Sequence, residues 1–560
     1  MHINKNGVSK RLAFSLALVP LCALGAQPPN AGSTMQEIPP PPQPKKPAPG
    51  IRIEQQKPAL ETPAQNVKIT VNRLHITGET VYTESELIAL TGFVPGSKLS
   101  LSELQQMAAK ITDFYRKHGY FLGQAYLPAQ DIRQGEVTIV VIEGKYGKID
   151  IRNTSRLSAS TVEQPLHPLK SGELISRKPL EKSVLLLSDT PGIEVKSTLI
   201  PGASVGTSDL VVDVTPGRSV TGSLDVDNEG NRYTGANRLG ATVNLNDPSG
   251  HGDLITLRAL KSFFGLDYAR AAYQVPVGNT RLGVAYTSMD YSLGKDFASL
   301  AANGTAKIKS LYGNYTFIRS RETNLYGTLD YDDKTFEDKV NSTASITDKD
   351  VGVWMAGLNG DHHDDFCGGG FTSYSFTWFE GVVRILSPAA LGIDATTARS
   401  NGSYDKLGFS AARLQEVTEQ TALYASIFGQ IASKNLDYSE KMELGGASGV
   451  RAYPEGEAFA DEGYVLSLEA RRQLPRISGN QPGDLQLIGF VDTGSAILNK
   501  DPWVAEQNRR RLSGAGIGLD WSKNDDFVVK TYFAWKVGDA AATSAPDKNG
   551  LFWLQGVKYF

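Results

Sequence analysis

A chain of 560 residues with 56 glycines, 9 % aromatics and a net charge of −3 is too long for one ordinary domain and lacks the basicity of a dedicated nucleic-acid binder. No internal run reaches the roughly 18 apolar residues of a membrane-crossing helix. A transmembrane barrel stays open, because its strands need only alternate and read as hydrophilic on average.

Lys5, Lys10 and Arg11 precede the apolar run Leu12–Leu24, and small residues end at Ala26. This pattern predicts a cleavable secretory signal over 1–26. Cleavage removes Cys22, so the mature chain holds Cys367 alone and no internal disulfide. Residues 27–66, including "IPPPPQPKKPAPG", read as an extended, solvated periplasmic linker.

Two compact α+β units follow, over 67–144 and 145–217. In the first, "VKITVNRLHITG" alternates as a strand, and Thr83 with Glu86 makes a capping-box pattern. Leu101, Leu104, Met107 or Ala108, Ile111 and Tyr115 then recur at helical spacing up to Gly119. "FLGQAYLPAQDIRQGEVTIVVIEGK" supplies two more strands. The second unit repeats the order more faintly, with one helix ending at Pro191 and Gly192 and a closing hairpin over "IEVKSTLIPG" and "SDLVVDVTPG".

From 218 to 560 helical periodicity largely disappears, and short alternating strands separated by polar turns take over. In "GYVLSLEARRQL" the set Tyr464, Leu466, Leu468, Ala470 is apolar, while its complement holds Ser467, Glu469 and Arg471. That alternation suits an outer face in lipid and an inner face in water. About 340 residues at roughly 21 per strand and connection give about 16 antiparallel strands, within the range of bacterial barrels. Backbone groups in lipid must all be paired, so such strands have to close. The aromatic Phe560 resembles the C-terminal signal of outer-membrane barrels, although Lys558 interrupts the usual alternation of that signal.

No catalytic, metal or cofactor site emerges from the sequence. "GDHHDDFCGGG" gathers His362, His363, Asp361, Asp364 and Asp365, but adjacent histidines alternate faces on a strand and no His-Glu-x-x-His spacing is present, so it reads as a polar loop. Cys367 there reads as an incidental thiol. No Gly-x-Ser-x-Gly elbow has persuasive partners, and no phosphate-binding Gly-Lys-Ser or Gly-Lys-Thr loop occurs.

The most specific stretch is "GGASGVRAYPEGEAFADEGYVLSLEARRQL", followed by "GFVDTGSA". With the order signal, proline-rich linker, two α+β repeats and barrel, it resembles the two-partner secretion transporters (TpsB) of the outer membrane, the hemolysin secretion/activation ShlB/FhaC/HecB family. The repeats look like POTRA domains. The resemblance implies a long loop, around 445–462, that folds into the lumen with Val450, Arg451, Ala452 and Tyr453 at its tip. The tip would meet a barrel-wall motif of Phe490, Asp492 and Gly494. Ala452 stands where glycine is usual. A physical case supports the pairing: Asp492 shares a strand side with Ile488 and Phe490, a carboxylate does not face lipid cheaply, and arginine can bind it through two parallel hydrogen bonds. The alternative is a solvated outer loop with Asp492 merely lining water.

For function, the resemblance implies periplasmic recognition of an extended cognate exoprotein (TpsA-type) by the POTRA domains, export through the barrel, and activation for a hemolysin- or adhesin-type client. It implies no enzyme activity and no cofactor. As partners it implies outer-membrane lipid, with the barrel-assembly machinery and periplasmic chaperones acting during biogenesis of a monomer; nucleic acid is not among them. The competing reading is a barrel-assembly factor of the same superfamily.

Overall fold

The computed structural model describes residues 28–44, 51–53, 67–476, 478–505 and 507–560. The signal read over 1–26 lies outside the described residues, as does much of the 27–66 linker. Two described pieces of that leader depart from the extended, solvated linker expected of it. Ile51–Ile53 is a strand that pairs in parallel with Ser197–Leu199 of the second α+β unit. Ala31–Gln36 is an α-helix, capped by the Asn30 side chain accepting from Ser33 N.

That helix lies inside the barrel. Ala31 packs with inward-facing Tyr233, Leu260, Met289 and Phe336, and its N–H donates to Asp338 Oδ1 at 2.7 Å. Six residues between prolines carry no readable helical period, and so short a helix is unstable in isolation. Tertiary burial makes it, and the proline-rich flanks hid it.

The first α+β unit has the expected helices and closing strands. The single strand read over "VKITVNRLHITG", however, is broken at Asn72 into Lys68–Val71 and Arg73–Thr77, which join different sheets. Arg73–Thr77 runs parallel to Glu136–Ile142, which pairs antiparallel with Gln124–Tyr126. The Thr83–Glu86 capping box forms and starts the helix Glu84–Thr91. In the helix Leu101–Lys117, Leu104, Ala108, Ile111 and Tyr115 face the core, while Leu101 stays exposed. The unforeseen strand Ser97–Ser100 pairs with Lys68–Val71. In the second unit the hairpin Ile193–Pro201 and Thr207–Pro216 forms as read. A five-residue helix, Ala159–Glu163, precedes the expected Arg177–Ser188.

Sixteen antiparallel strands form one closed barrel, the first (Val220–Asp227) pairing with the last (Gly550–Tyr559). Alternation sorts side chains as the sequence suggests: Leu487 and Val491 are exposed on the outside, whereas Ile488, Phe490 and Asp492 are buried within. Connections at the end bearing the α+β units are tight, as between Val277 and Thr280 or Arg319 and Thr323. At the opposite end lies the longest connection, from Ala432 to Glu462. Central strands such as Ser345–Asp364, with 20 residues, exceed the about 9–11 residues that cross a bilayer and project beyond it.

Closure explains the chain's last residues. Phe560 N donates to Gly222 O at 3.1 Å and Gly222 N returns a bond of 3.0 Å. A methyl on Gly222 would sit 2.5 Å from the Phe560 ring, so glycine there lets the ring lie across the seam. Lys558 pairs with Asp526 in the neighbouring turn, which puts its charge at the barrel rim rather than in the hydrocarbon. The sequence 360–364 is not a loop: His362 and His363 continue the strand to Asp364. Cys367 sits exposed in the following turn.

Asp189 carries a salt bridge that helps fix the second unit beneath the barrel, alongside backbone contacts such as Ser158 N to Gly250 O at 2.9 Å. Asp189, at the end of the helix Arg177–Ser188, accepts from Arg319 Nε at 2.7 Å and Nη2 at 2.8 Å. Its backbone carbonyl accepts from Arg281 at 2.7 Å. Arg319→Ala is expected to weaken this docking by about 1.5–3 kcal/mol, the usual worth of hydrogen bonds to a charged group. Spin labels on the unit and the barrel should report a broadened distance distribution, and an unchanged one would refute the role of this contact.

Candidate functional site: the lumenal loop and its wall

The connection 432–462 does not stand out in solvent; it folds into the barrel, and its inserted part begins well before the 445–462 expected of it. Asp437 accepts two 2.9 Å bonds from Lys349. Glu440 pairs with Lys334 at 2.7 Å and Lys406 at 3.0 Å. Lys441 pairs with Asp461 at 2.8 Å across the base of the loop. Between these anchors Met442–Glu443 pairs with Phe459–Ala460 as a miniature hairpin.

The hairpin carries a compact tip. Val450 N donates to Leu444 O at 2.8 Å and Tyr453 N to Val450 O at 3.0 Å. Gly446, at φ +90°, makes the turn, and Gly446 N donates to Tyr453 O. Glu457 is fully buried and accepts from Thr543 N at 2.7 Å and Ser544 N at 2.8 Å, tying the loop to the outer connection between the last two strands.

At the tip, Arg451 meets the wall. Its Nε and Nη2 donate to the two oxygens of Asp492 at 2.8 and 2.7 Å, and its backbone N–H adds a third bond of 3.1 Å. Nη1 lies 2.8 Å from Glu469, which Arg471 also binds at 2.7 Å. The guanidinium plane rests 3.5 Å over the Phe490 ring, with Tyr532 at 5.1 Å. Arg451 is 5 % exposed and Asp492 0 %. A charge pair so far from water is sustained only because each partner's bonding capacity is used, here by two carboxylates, two guanidiniums and two rings.

The remaining motif residues complete the fit. Val450, Ala452 and Tyr453 are fully buried. Tyr453 Oη donates to Ala540 O at 2.9 Å, and Trp553 Nε1 donates to Arg451 O at 2.7 Å. Gly494 makes room for the loop, since a methyl there would come within 2.9 Å of Leu444 Cδ2. Ala452 is accommodated rather than strained. It is not among the positive-φ residues, and its Cβ fills the space left by Gly514, whose own methyl would lie 2.5 Å away.

Comparison with known proteins decides what carries this arrangement. The model of the haemolysin secretion/activation protein family ShlB/FhaC/HecB matches residues 206–521, and that of the ShlB-type POTRA domain matches 69–144. The chain belongs to the ShlB/FhaC/HecB family. It is a two-partner secretion outer-membrane transporter whose POTRA domains lie on the periplasmic side. The heme/hemopexin transporter protein HuxB of Haemophilus influenzae is 29 % identical over 513 residues, covering 90 % of this chain and 88 % of HuxB. The outer membrane transporter CdiB of Dickeya dadantii is 24 % identical, covering 80 % of each chain. Among solved structures, CdiB from Escherichia coli superposes with a TM-score of 0.69 at 20 % identity, over 90 % of this chain and 92 % of that one.

Sequence reasoning did not single out Trp553, Gly514 or the leader helix as parts of this transporter's lumen, nor Glu469 as a partner of the loop tip. Strand alternation marked Glu469 as lumenal. Its nearness to the tip follows from strand register, which sets it opposite Phe490.

Arg451→Ala should destabilise the loop by about 3–5 kcal/mol, because Asp492 is then buried without a partner. Removing both groups together should cost less than the sum of the two single changes. Urea unfolding followed by loop protection from trypsin checks both statements. Gly514→Ala should lift the tip by crowding Ala452, and adding Ala452→Gly should restore its protection. Equal protection in all three proteins would dismiss that packing.

Proposed function

We propose that this transporter takes up an extended exoprotein client through its POTRA domains and passes it through the barrel when the lumenal insertions move aside. The observation that carries this reading is the occupied lumen. The helix Ala31–Gln36 and the loop 432–462 both enter it, and each contacts the wall through apolar side chains and through polar groups. The polar part of that contact can exchange its partners for water or a passing chain.

A main-chain mechanism of capture fits the periplasmic part. An extended peptide can add to an exposed sheet edge, with alternate side chains supplying selectivity. The parallel pairing of Ile51–Ile53 with Ser197–Leu199 supports this, since that edge takes a short extended segment. The Arg451–Asp492 contact then fixes the resting position of the loop, and its guanidinium fork suits a contact that is either fully made or fully lost.

The energy for transport has no nucleotide source in this reading. Folding of the client outside the cell would bias movement outward. An assembly factor for other barrels would share the barrel and the loop. Its absence from the cell, however, would deplete many outer-membrane proteins.

Deletion of the protein should therefore remove one large secreted protein from the medium and leave outer-membrane barrels at normal levels. Broad loss of barrels would favour assembly instead. Arg451→Ala and Asp492→Ala should each lower export or raise the conductance of the purified barrel. Normal export with unchanged conductance in both variants would sink the proposed role of the loop tip.

A further inference from the structure

Glutamates from three separate elements meet where the leader helix touches the lumenal loop. Glu37 forms the C-cap of the helix, Glu443 and Glu455 belong to the loop, and Glu229 follows the first barrel strand. Glu37 Oε1 accepts from Asn231 Nδ2 at 2.9 Å. Glu455 Oε1 accepts from Ala447 N at 2.8 Å. Glu443 accepts from Gly456 N, and its carboxyl is close enough to those of Glu455 and Glu37 to be repelled by both. The elements are in close contact: a methyl on Gly456 would lie 2.8 Å from Asn231 Nδ2 and 3.4 Å from Glu37 Oε1.

Among the described residues, Asp227, Arg238 and Lys530 also act on this group. Arg238 is buried and committed to Asp227 through Nε at 2.7 Å. Its Nη1 donates to the backbone carbonyl of Glu37 at 3.0 Å, and its Nη2 lies 4.0 Å from Glu229. Lys530 acts on Glu229. Carboxyls packed this closely in a buried place repel one another when ionised, so protons held among them favour the contact.

We propose that a proton-sharing carboxyl latch, Glu37 with Glu443 and Glu455, holds the leader helix in the lumen and lets go when these groups ionise. Burial, then repulsion from Glu455, pushes Glu37 up to about 8 from an ordinary 4.5. Burial above all pushes Glu455 up to about 7 and, with Asp227, Glu229 up to about 7. Burial, then Glu455 and Glu37, raises Glu443 well above its ordinary range. The sign follows from linkage. Groups whose values are raised in the closed state favour closure fully below their ordinary value, and the contribution is lost as pH rises through the raised ones. The loss falls at about pH 7–8.

The test needs no client, so its failure would leave the export reading standing. The purified full chain is placed in planar bilayers and its open probability read at about pH 6 and about pH 9, on either side of the transition. Wild type should open several-fold more at the higher pH. The variant Glu37→Gln, Glu443→Gln, Glu455→Gln keeps the shape of the contact without its charge and should stay closed at both. Deletion of Ala31–Gln36 should give a barrel that is open at both. Barrel assembly is checked by heat-modifiable migration on gels. Should the triple variant fail to assemble, Glu37→Gln alone must move the opening midpoint to higher pH. A wild-type response that is flat, a response retained by the triple variant or by the helix deletion, or an unmoved Glu37→Gln midpoint overturns the latch.

Discussion

Arg451 joins a loop that could stand in solvent to a wall that faces lipid on its other side. Asp492 is inward on a strand whose neighbours Leu487 and Val491 face outward, so its charge has nowhere to go except the lumen. Once the barrel closes, that carboxylate needs a cation, and here a segment entering from the end supplies it. Guanidinium fits because it satisfies both oxygens, binds Glu469 with its third nitrogen and stacks on Phe490. The hairpin of the loop, the seat at Gly514 and the space at Gly494 serve to deliver that group to its place.

The same electrostatic requirement recurs along the lumen. Lys334, Lys349 and Lys406 project inward from the wall and find Asp437 and Glu440 on the loop. Arg238 and Arg258 near the closing seam find Asp227 and Asp225. Pairs of this kind contribute little net stability against an apolar alternative, since desolvation offsets most of the attraction. Their value is positional. They fix which arrangement the insertions adopt beside the apolar contacts that Ala31 and the loop tip also make with the wall.

Legibility followed the range of the interactions involved. The strands, the capping box at Thr83 and the inward side of Ile488, Phe490 and Asp492 rest on local periodicity, and these are in the structure. The Arg451–Asp492 pairing came from motif resemblance together with the cost of placing a carboxylate in lipid. The leader was misread. Composition between Pro29 and Pro39 indicates an extended tether, yet six residues there become a helix because Tyr233, Met289 and Phe336 supply its apolar surroundings. The concern over Ala452 had a similar origin, since only the chain 62 residues later, at Gly514, makes room for its methyl.

By itself, the sequence determined the class of the molecule: alternation with a period of two, no long apolar helix, and two α+β units ahead of the strands, because these are patterns that neighbouring residues impose on one another. Tertiary structure decided the rest. Which charges pair, which glycines yield space to which side chains, and which segments occupy the lumen depend on strand register and barrel closure. Those bring together residues hundreds of positions apart, such as Ala31 with Asp338 and Asn231 with Glu37, and no local pattern encodes that meeting.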